Sequence, residues 1–187
     1  MNDNEEKMEK IFEKISSYNI LNFILPGIVY GFLCKNVLGF SMPTGGFFES
    51  IFLYYAIGMV ISRIGSTIIE PIFVKLKIIR RADYADYIKA GSKDAKLEVL
   101  LEMNNSFRTF ISLILVFGIT ALINEFLYYH SSYNYLVIAI ALVIVFFVFV
   151  LSYRKQTSFI KARVETIARK NNSHGKNKTK RKNKTDD

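Results

Sequence analysis

The chain has 187 residues, of which 51% are hydrophobic, and it carries a formal net charge of +9. A soluble domain of this length would scatter its apolar residues around one core, but here they are concentrated in long uncharged runs, which argues against a soluble globular protein. The single cysteine, Cys34, excludes an intrachain disulfide and a cysteine-based zinc site.

The N-terminal segment, residues 1–19, is densely charged, and its apolar residues recur at helical spacing. Met8, Ile11, Phe12 and Ile15 fall on one face of a helix, and charged residues occupy the other faces. This pattern predicts a short amphipathic helix that lies on the membrane or on the central loop.

Four apolar segments follow, and with their flanks they approach the ~20 residues that cross a hydrocarbon core of ~30 Å. They are residues 20–37 (span 1), 47–69 (span 2), 110–123 extended by 127–129 (span 3) and 136–151 with flanks 133–153 (span 4). The sequence therefore predicts an all-α, polytopic membrane protein with four transmembrane helices within residues 20–153, embedded in a lipid bilayer.

Lysine and arginine avoid two of the three connections between these spans. Residues 39–46 and 124–134 contain none, whereas the central loop (residues 75–107) together with Arg108 contains eight, and the chain from Arg154 onward contains twelve. Because basic loops stay on the cytoplasmic side of a membrane, both termini and the central loop are predicted to be cytoplasmic.

The central loop predicts two helical pieces, residues 82–90 and a second one that begins near Asp94 as N-cap and runs into span 3. Pro71 is the expected place for a bend in the extension of span 2. After span 4, residues 154–170 predict a basic cytoplasmic helix, and residues 171–187, which lack apolar side chains, predict a disordered basic tail.

Arg63 and Glu70 are the sharpest pair of charged residues within a span. They are seven residues apart, so a regular helix would place them on one face. Either Arg63 lines a conduction path or pairs across a subunit interface, or it extends its side chain to the cytoplasmic surface. Small residues at Gly58, Ser62 and Ser66 recur every four residues and predict a close helix contact.

Asn104, Asn105 and Arg108 lead into span 3. They can cap the cytoplasmic end of a neighbouring helix or form a polar ring at the inner mouth of a pore, and Arg108 can equally pair with Glu70, which is predicted at the same membrane depth.

Basic and aromatic residues are mixed directly after span 2, and such mixtures hold single-stranded nucleic acid through phosphates and bases. Juxtamembrane cations also attract anionic lipid, so both interpretations remain open. The residues are Lys75, Lys77, Arg80, Arg81, Tyr84 and Tyr87.

Short stretches of spans 2 and 3 and of their loop resemble small bacterial membrane proteins of anti-phage defence loci, above all the membrane effector of the Hailong system. The stretches are Arg63-Ile64-Gly65-Ser66, Glu70-Pro71, Ala82-Asp83-Tyr84, Tyr87, Asp94, Glu98, Asn105 and Arg108-Thr109. The resemblance implies an oligomeric ion channel in the bacterial inner membrane. It would be controlled by a DNA oligomer that a partner nucleotidyltransferase makes and that meets the basic residues of the loop or Arg108. The four-span subunits of the Kiwa system are a second resemblance and imply a membrane sensor that recruits a soluble DNA-binding partner.

Two hypotheses of function follow. The first is a channel, and since four helices are usually too few to enclose a wide passage, we expect a homo-oligomer, taken as a tetramer. The second is a membrane-anchored sensor or scaffold that recruits a soluble partner through the basic loop and tail. A lipid-processing enzyme is a weaker third hypothesis. The sequence has only two histidines and none of the common catalytic motifs, so we expect no catalytic residue, no metal and no cofactor.

Overall fold

The computed structural model describes residues 20–42, 45–128 and 133–182, and within these ranges every regular element is a helix. The all-α fold that the sequence predicts is therefore confirmed. The predicted amphipathic helix of residues 1–19 and the last five residues of the predicted tail lie outside the described residues.

Helix α1 covers residues 20–38 and begins with a wide π-helical turn, Ile20–Ile24, before the α-helical part Leu25–Leu38. Gly39 ends the helix with a left-handed backbone at φ 70°, a conformation that glycine adopts without steric cost. Phe40 then donates its backbone N–H to the carbonyl of Cys34 at 3.1 Å.

Helix α2 is the stretch Phe47–Lys75 and contains a second π-helical turn, Gly65–Ile69. Pro71 cannot donate a backbone hydrogen bond, and its ring would collide with the carbonyl of residue 67 in a regular helix. The wide turn relieves this conflict, and the N–H of Glu70 binds the carbonyl of Gly65. The helix therefore continues through Pro71, where the sequence predicts a bend, and ends at Lys75.

Helix α3 is Tyr84–Gly91 and helix α4 is Lys96–Tyr128, so the second piece of the central loop and span 3 form one helix of 33 residues. Asp83 caps α3 by accepting the backbone N–H groups of Ala85 and Asp86 at 2.9 and 3.4 Å. Asp94 accepts the N–H of Lys96 at 3.1 Å ahead of α4. Short polar side chains at these positions satisfy donors that the helix itself leaves free.

Helix α5 is Tyr133–Lys182 and joins span 4, the predicted basic helix and most of the predicted disordered tail in one element of 50 residues. The sequence predicts disorder from residue 171, whereas the helix continues to Lys182. No proline interrupts these residues, and lysine and arginine are good helix formers.

Helices α1 and α2 cross with their backbones in contact. A Cβ atom on Gly27 would overlap the carbonyl of Tyr54, and a Cβ atom on Gly58 would overlap the carbonyl of Phe23. Absent side chains at both glycines allow this approach, which is the usual way in which membrane helices pack closely.

Two of the apolar clusters formed by the described residues join α2 to its neighbours in the bundle. Ile61 of α2 packs with Leu113 and Ile114 of α4 in the middle of the bundle. At the end of the bundle that carries Glu70, a second cluster joins α2, α4 and α5 through Ile69, Phe73, Ile79, Ile111 and Tyr153. We call this end the basic end, because the charged central loop leaves the bundle there.

Within the described ranges, three helices are long and apolar enough to cross a membrane by length and composition: Phe47–Lys75, Lys96–Phe126 and Leu136–Arg169. Helix α1 contributes a shorter apolar stretch, Asn22–Leu38. In the most apolar 18-residue stretch of α5, only 6% is buried within the subunit, whereas 39% of the corresponding stretch of α2 is buried. The apolar surface of α5 is therefore left for lipid or for another subunit.

Candidate functional site

A buried carboxylate and two arginines meet at the basic end of the bundle. Glu70 is only 5% exposed, and one of its oxygens accepts a hydrogen bond from Nη1 of Arg108 at 2.5 Å. Arg81, from the loop after α2, forms an ion pair with the other oxygen. We call these three residues the Glu70 cluster. Since a carboxylate buried alone would be expensive, the two guanidinium groups make its burial tolerable and tie α2, the loop and α4 together.

Helix α5 closes the Glu70 cluster from one side. Tyr153 is fully buried, and its hydroxyl and Nε of Arg108 are both buried without a hydrogen-bond partner in the described part of the chain. Gly65 lies beneath Arg108, where a Cβ atom would be 3.4 Å from Cγ of the arginine. The small residue in the wide turn thus leaves room for the arginine stem.

Polar side chains continue from the Glu70 cluster into the helix contacts. The hydroxyl of Thr109 lies 3.2 Å from that of Ser62, and Ser112 donates to the carbonyl of Ile61 at 2.8 Å. These hydrogen bonds join α4 to α2. They satisfy the hydroxyls of Ser62 and Ser112 in an apolar environment.

The two asparagines predicted as caps or as a pore ring lie inside these contacts. Asn104 is buried, and its side-chain oxygen accepts a hydrogen bond from Thr157 of α5 at 3.1 Å. Asn105 is half-buried, and its backbone carbonyl accepts the hydroxyl of Thr109. Asn104 thus links two helices of the same subunit.

Arg63 and Glu70 do not share a face, contrary to the prediction from their spacing. Arg63 is exposed, whereas Glu70 is buried. The wide turn at Gly65–Ile69 holds one residue more than a regular turn, which brings Glu70 below the buried Ser62 instead of below Arg63. Seven-residue spacing fails as a predictor wherever a π-helical turn intervenes.

Arg63 lies on the outer surface of α2 and forms no ion pair with a described residue. Ser66 and Thr67 donate their hydroxyls to its backbone carbonyl at 3.0 and 2.7 Å. Ser66 therefore stabilises the irregular turn, and the guanidinium group is left free toward the surroundings.

The basic and aromatic residues predicted as one ligand surface separate into several places. Arg81 belongs to the Glu70 cluster, Lys75 is exposed at the end of α2, and Tyr84 is 78% exposed on α3. Tyr87 packs against an apolar cluster of Ala90, Leu97, Ile160 and Val164 that joins α3, α4 and α5.

Lys77 and Arg80 face α5 instead and line a cleft of about 400 Å³. Sequence reasoning missed the other wall of this cleft, although its residues recur at helical spacing on one face of α5. That wall consists of Arg154, Ser158, Lys161, Ala162 and Glu165. We call the space between Lys77 and Arg80 on one side and this wall on the other the basic cleft.

An ion pair anchors the end of the central loop to α5. Nε of Arg163 donates to a carboxylate oxygen of Asp94 at 2.5 Å, and this hydrogen bond holds the pKa of Asp94 below its ordinary value of 3.8. Because the pKa is lowered by folding, the pair stabilises the protein above pH 3.8, and the contribution is lost as the pH falls through the lowered pKa.

The variant Asp94→Asn is therefore expected to unfold at a lower temperature than the wild type at neutral pH, and the gap is expected to close under strongly acidic conditions. Thermal unfolding in mild detergent, followed by circular dichroism from pH 7 to pH 3, measures the gap. A gap that stays constant down to pH 3 would show that the carboxylate charge is not what matters.

No group of three or more histidine, cysteine or acidic residues within the described ranges is placed to hold a metal ion. Asp83 acts as the cap of α3. No protein family, no curated protein and no solved structure matches this chain.

Proposed function

We propose that this chain is the subunit of a homo-oligomeric ion channel in the bacterial inner membrane, a defence effector controlled from the cytoplasm by a nucleotide or DNA oligomer. In this proposal α1, α2, α4 and α5 all cross the membrane, both termini are cytoplasmic, and the basic end faces the cytoplasm. The observation that carries it is Arg63, an exposed cation on an apolar helix.

The depth of Arg63 makes contact with lipid unfavourable. It lies 12 residues before the end of α2 at Lys75 and 16 residues after Phe47, or about 18 and 24 Å at 1.5 Å per residue. An arginine near the centre of a membrane helix costs about 2.5–3.5 kcal/mol even on insertion scales. Water in a conduction path, or a group on a second subunit, would remove this cost.

The packing of a single subunit favours a path between subunits. Ile61, Leu113 and Ile114 pack in the space between α2 and α4 and leave no wide path between these two helices. Arg63 is on the outside of this core, as is most of the apolar surface of α5. A homo-oligomer, with a tetramer as the simplest expectation, would bring copies of Arg63 together around a shared axis.

The variant Arg63→Gln is expected to lower the preference for anions over cations by about tenfold, the factor that corresponds to 1.4 kcal/mol of electrostatic energy in the path. Reversal potentials of the purified protein in planar bilayers measure this ratio. Lys89→Gln, which removes an exposed cation from α3, is the matched control and is expected to leave the ratio unchanged.

An absence of current from the wild-type protein, with or without nucleotides and single-stranded DNA on the side of the basic end, would contradict the channel. A conducting protein whose selectivity is the same in Arg63→Gln and in the wild type would show instead that Arg63 does not line the conduction path.

A membrane-anchored scaffold is the second candidate, and exposed apolar side chains beyond the basic end favour it. Tyr84 and Ile88 are exposed one turn apart on α3, and Val99 and Met103 are exposed one turn apart on α4. Such residues can dock a soluble partner, including a nucleotidyltransferase. Retention of a soluble partner by the wild type but not by Ile88→Glu, with no ion flux, would favour this candidate over the channel.

A further inference from the structure

We infer that the basic cleft binds a phosphate group of a nucleotide, an oligonucleotide or an anionic lipid. This inference rests on the proposed function in one respect, the cytoplasmic side of the membrane that the cleft faces. The cleft lies between the loop after α2 and the part of α5 beyond its apolar segment. Its volume of about 400 Å³ falls in the range of small-ligand sites.

The charge of the basic cleft is not balanced by the part of the chain that the structure describes. Four cations line it, and among the described residues Glu165 is its single carboxylate. Glu165 pairs with Lys161 at 3.6 Å, and no ion pair within the described residues involves any of the other three. The three cations without an ion pair to a described residue are Lys77, Arg80 and Arg154. Like charges held around one cleft repel each other, and a bound anion would offset that repulsion.

The donor set suits phosphate in particular. Arg80 and Arg154 each present a planar fork of N–H groups that can bind two phosphate oxygens at once, and Lys77 adds a point charge. Ser158 adds a hydroxyl donor on the α5 wall. Ile78 and Ala162 are the apolar members of the lining, and the part of the ligand that carries the phosphate can pack against them.

The backbone at Lys77 contributes to the position of this cation at the cleft. Lys77 has a left-handed backbone at φ 57°, just past the end of α2, where glycine is the usual residue. The conformation belongs to the cap that ends α2, in which the N–H of Ile78 donates to the carbonyl of Phe73 at 2.9 Å. A side chain at this position is disfavoured by contact between Cβ and the following carbonyl, so the presence of a lysine here motivates a test of its charge.

The direct test is binding of a short, labelled oligodeoxythymidylate to the full-length protein in nanodiscs of neutral phosphatidylcholine. Arg80→Gln and Arg154→Gln are each expected to weaken binding by about tenfold, the loss that corresponds to one charge-assisted hydrogen bond. Lys75→Gln removes a cation of α2 that is exposed and lies outside the cleft, and it is expected to weaken binding by less than about twofold.

Two further variants separate binding from folding. Glu165→Gln removes the carboxylate that lines the cleft and releases Lys161, so binding is expected to tighten by about threefold. Lys77→Gly relieves the left-handed backbone, so the unfolding midpoint is expected not to fall while binding weakens. A general loss of structure would produce neither pattern.

The source of the phosphate is resolved by a second arm with phosphatidylglycerol in the nanodiscs. If the cleft holds a lipid phosphate, native mass spectrometry is expected to show phosphatidylglycerol on the wild type that Arg80→Gln lacks. Binding of either phosphate that depends on Arg80 and Arg154 supports the site. Binding that falls as much in Lys75→Gln as in Arg80→Gln, or no cleft-dependent binding of either ligand, would overturn it. A protein that binds but carries no current would refute only the channel.

Discussion

Replacing Glu70 by alanine is expected to destabilise the protein by about 3–5 kcal/mol. The change leaves Arg108, whose side chain is 12% exposed, with a buried charge and no carboxylate. Removal of one member of a buried ion pair is strongly destabilising because the remaining charge is neither paired nor hydrated. The same variant frees the loop, since Arg81 loses its partner as well.

Titration of the purified variants with sodium dodecyl sulfate in mixed micelles, followed by circular dichroism, measures this loss. Arg81→Gln is the control, because its side chain is 58% exposed and its removal is expected to cost no more than about 1 kcal/mol. The double variant Glu70→Leu with Arg108→Met removes both buried charges and is expected to recover most of the stability. A loss below about 1 kcal/mol for Glu70→Ala would show that the carboxylate is hydrated in the native protein.

Replacing Gly58 or Gly27 by valine is expected to separate α1 from α2 and to cost about 3 kcal/mol or more. At both positions the atom that a new Cβ would overlap is a backbone carbonyl oxygen of the facing helix, which cannot turn aside as a flexible side chain can. The helices must therefore move apart along their whole crossing, and the apolar contacts around it are lost with the glycine contact.

Gly118→Ala in α4 is the matched control. A Cβ atom there meets nothing within 4 Å, so the change only raises helix propensity and is expected to be neutral or to stabilise by up to about 1 kcal/mol. Thermal stability by size-exclusion chromatography in detergent ranks the three variants. If Gly58→Val and Gly118→Ala retain the same monodisperse fraction after heating, the close crossing of α1 and α2 is not a source of stability.

The helices of the central loop were predictable because local signals define them. Asp94, expected from the sequence as an N-cap, accepts a backbone N–H group ahead of α4. The first piece was predicted from residue 82 and begins two residues later, at Tyr84, because Asp83 caps it. The pairing of Glu70 with Arg108 was also within reach, because both were expected at one membrane depth. The hydrophobic periodicity and the distribution of charge along the sequence were sufficient to predict these features.

The remaining features depend on contacts that no local pattern encodes. The basic cleft joins Lys77 to Lys161, which are far apart in the sequence, and only the docking of the loop on α5 brings them to one cavity. The face of Glu70 depends on a single wide turn, and the seven-residue rule carries no information about such a turn. Arg81 was assigned to ligand although it pairs with Glu70, because the charge of a loop residue does not show its direction.

The wide turn in α2 has one more consequence, which concerns rotation. A regular α-helix turns by about 100° per residue. The wide turn Gly65–Ile69 holds one extra residue, so the end of α2 is rotated by about 100° relative to a regular helix with the same number of residues. If the turn closed without loss of a residue, Glu70 would swing toward the side of Arg63 and away from Arg108. A deletion of one residue within the turn, normally among the most damaging changes to a helix, would instead keep Glu70 below Ser62.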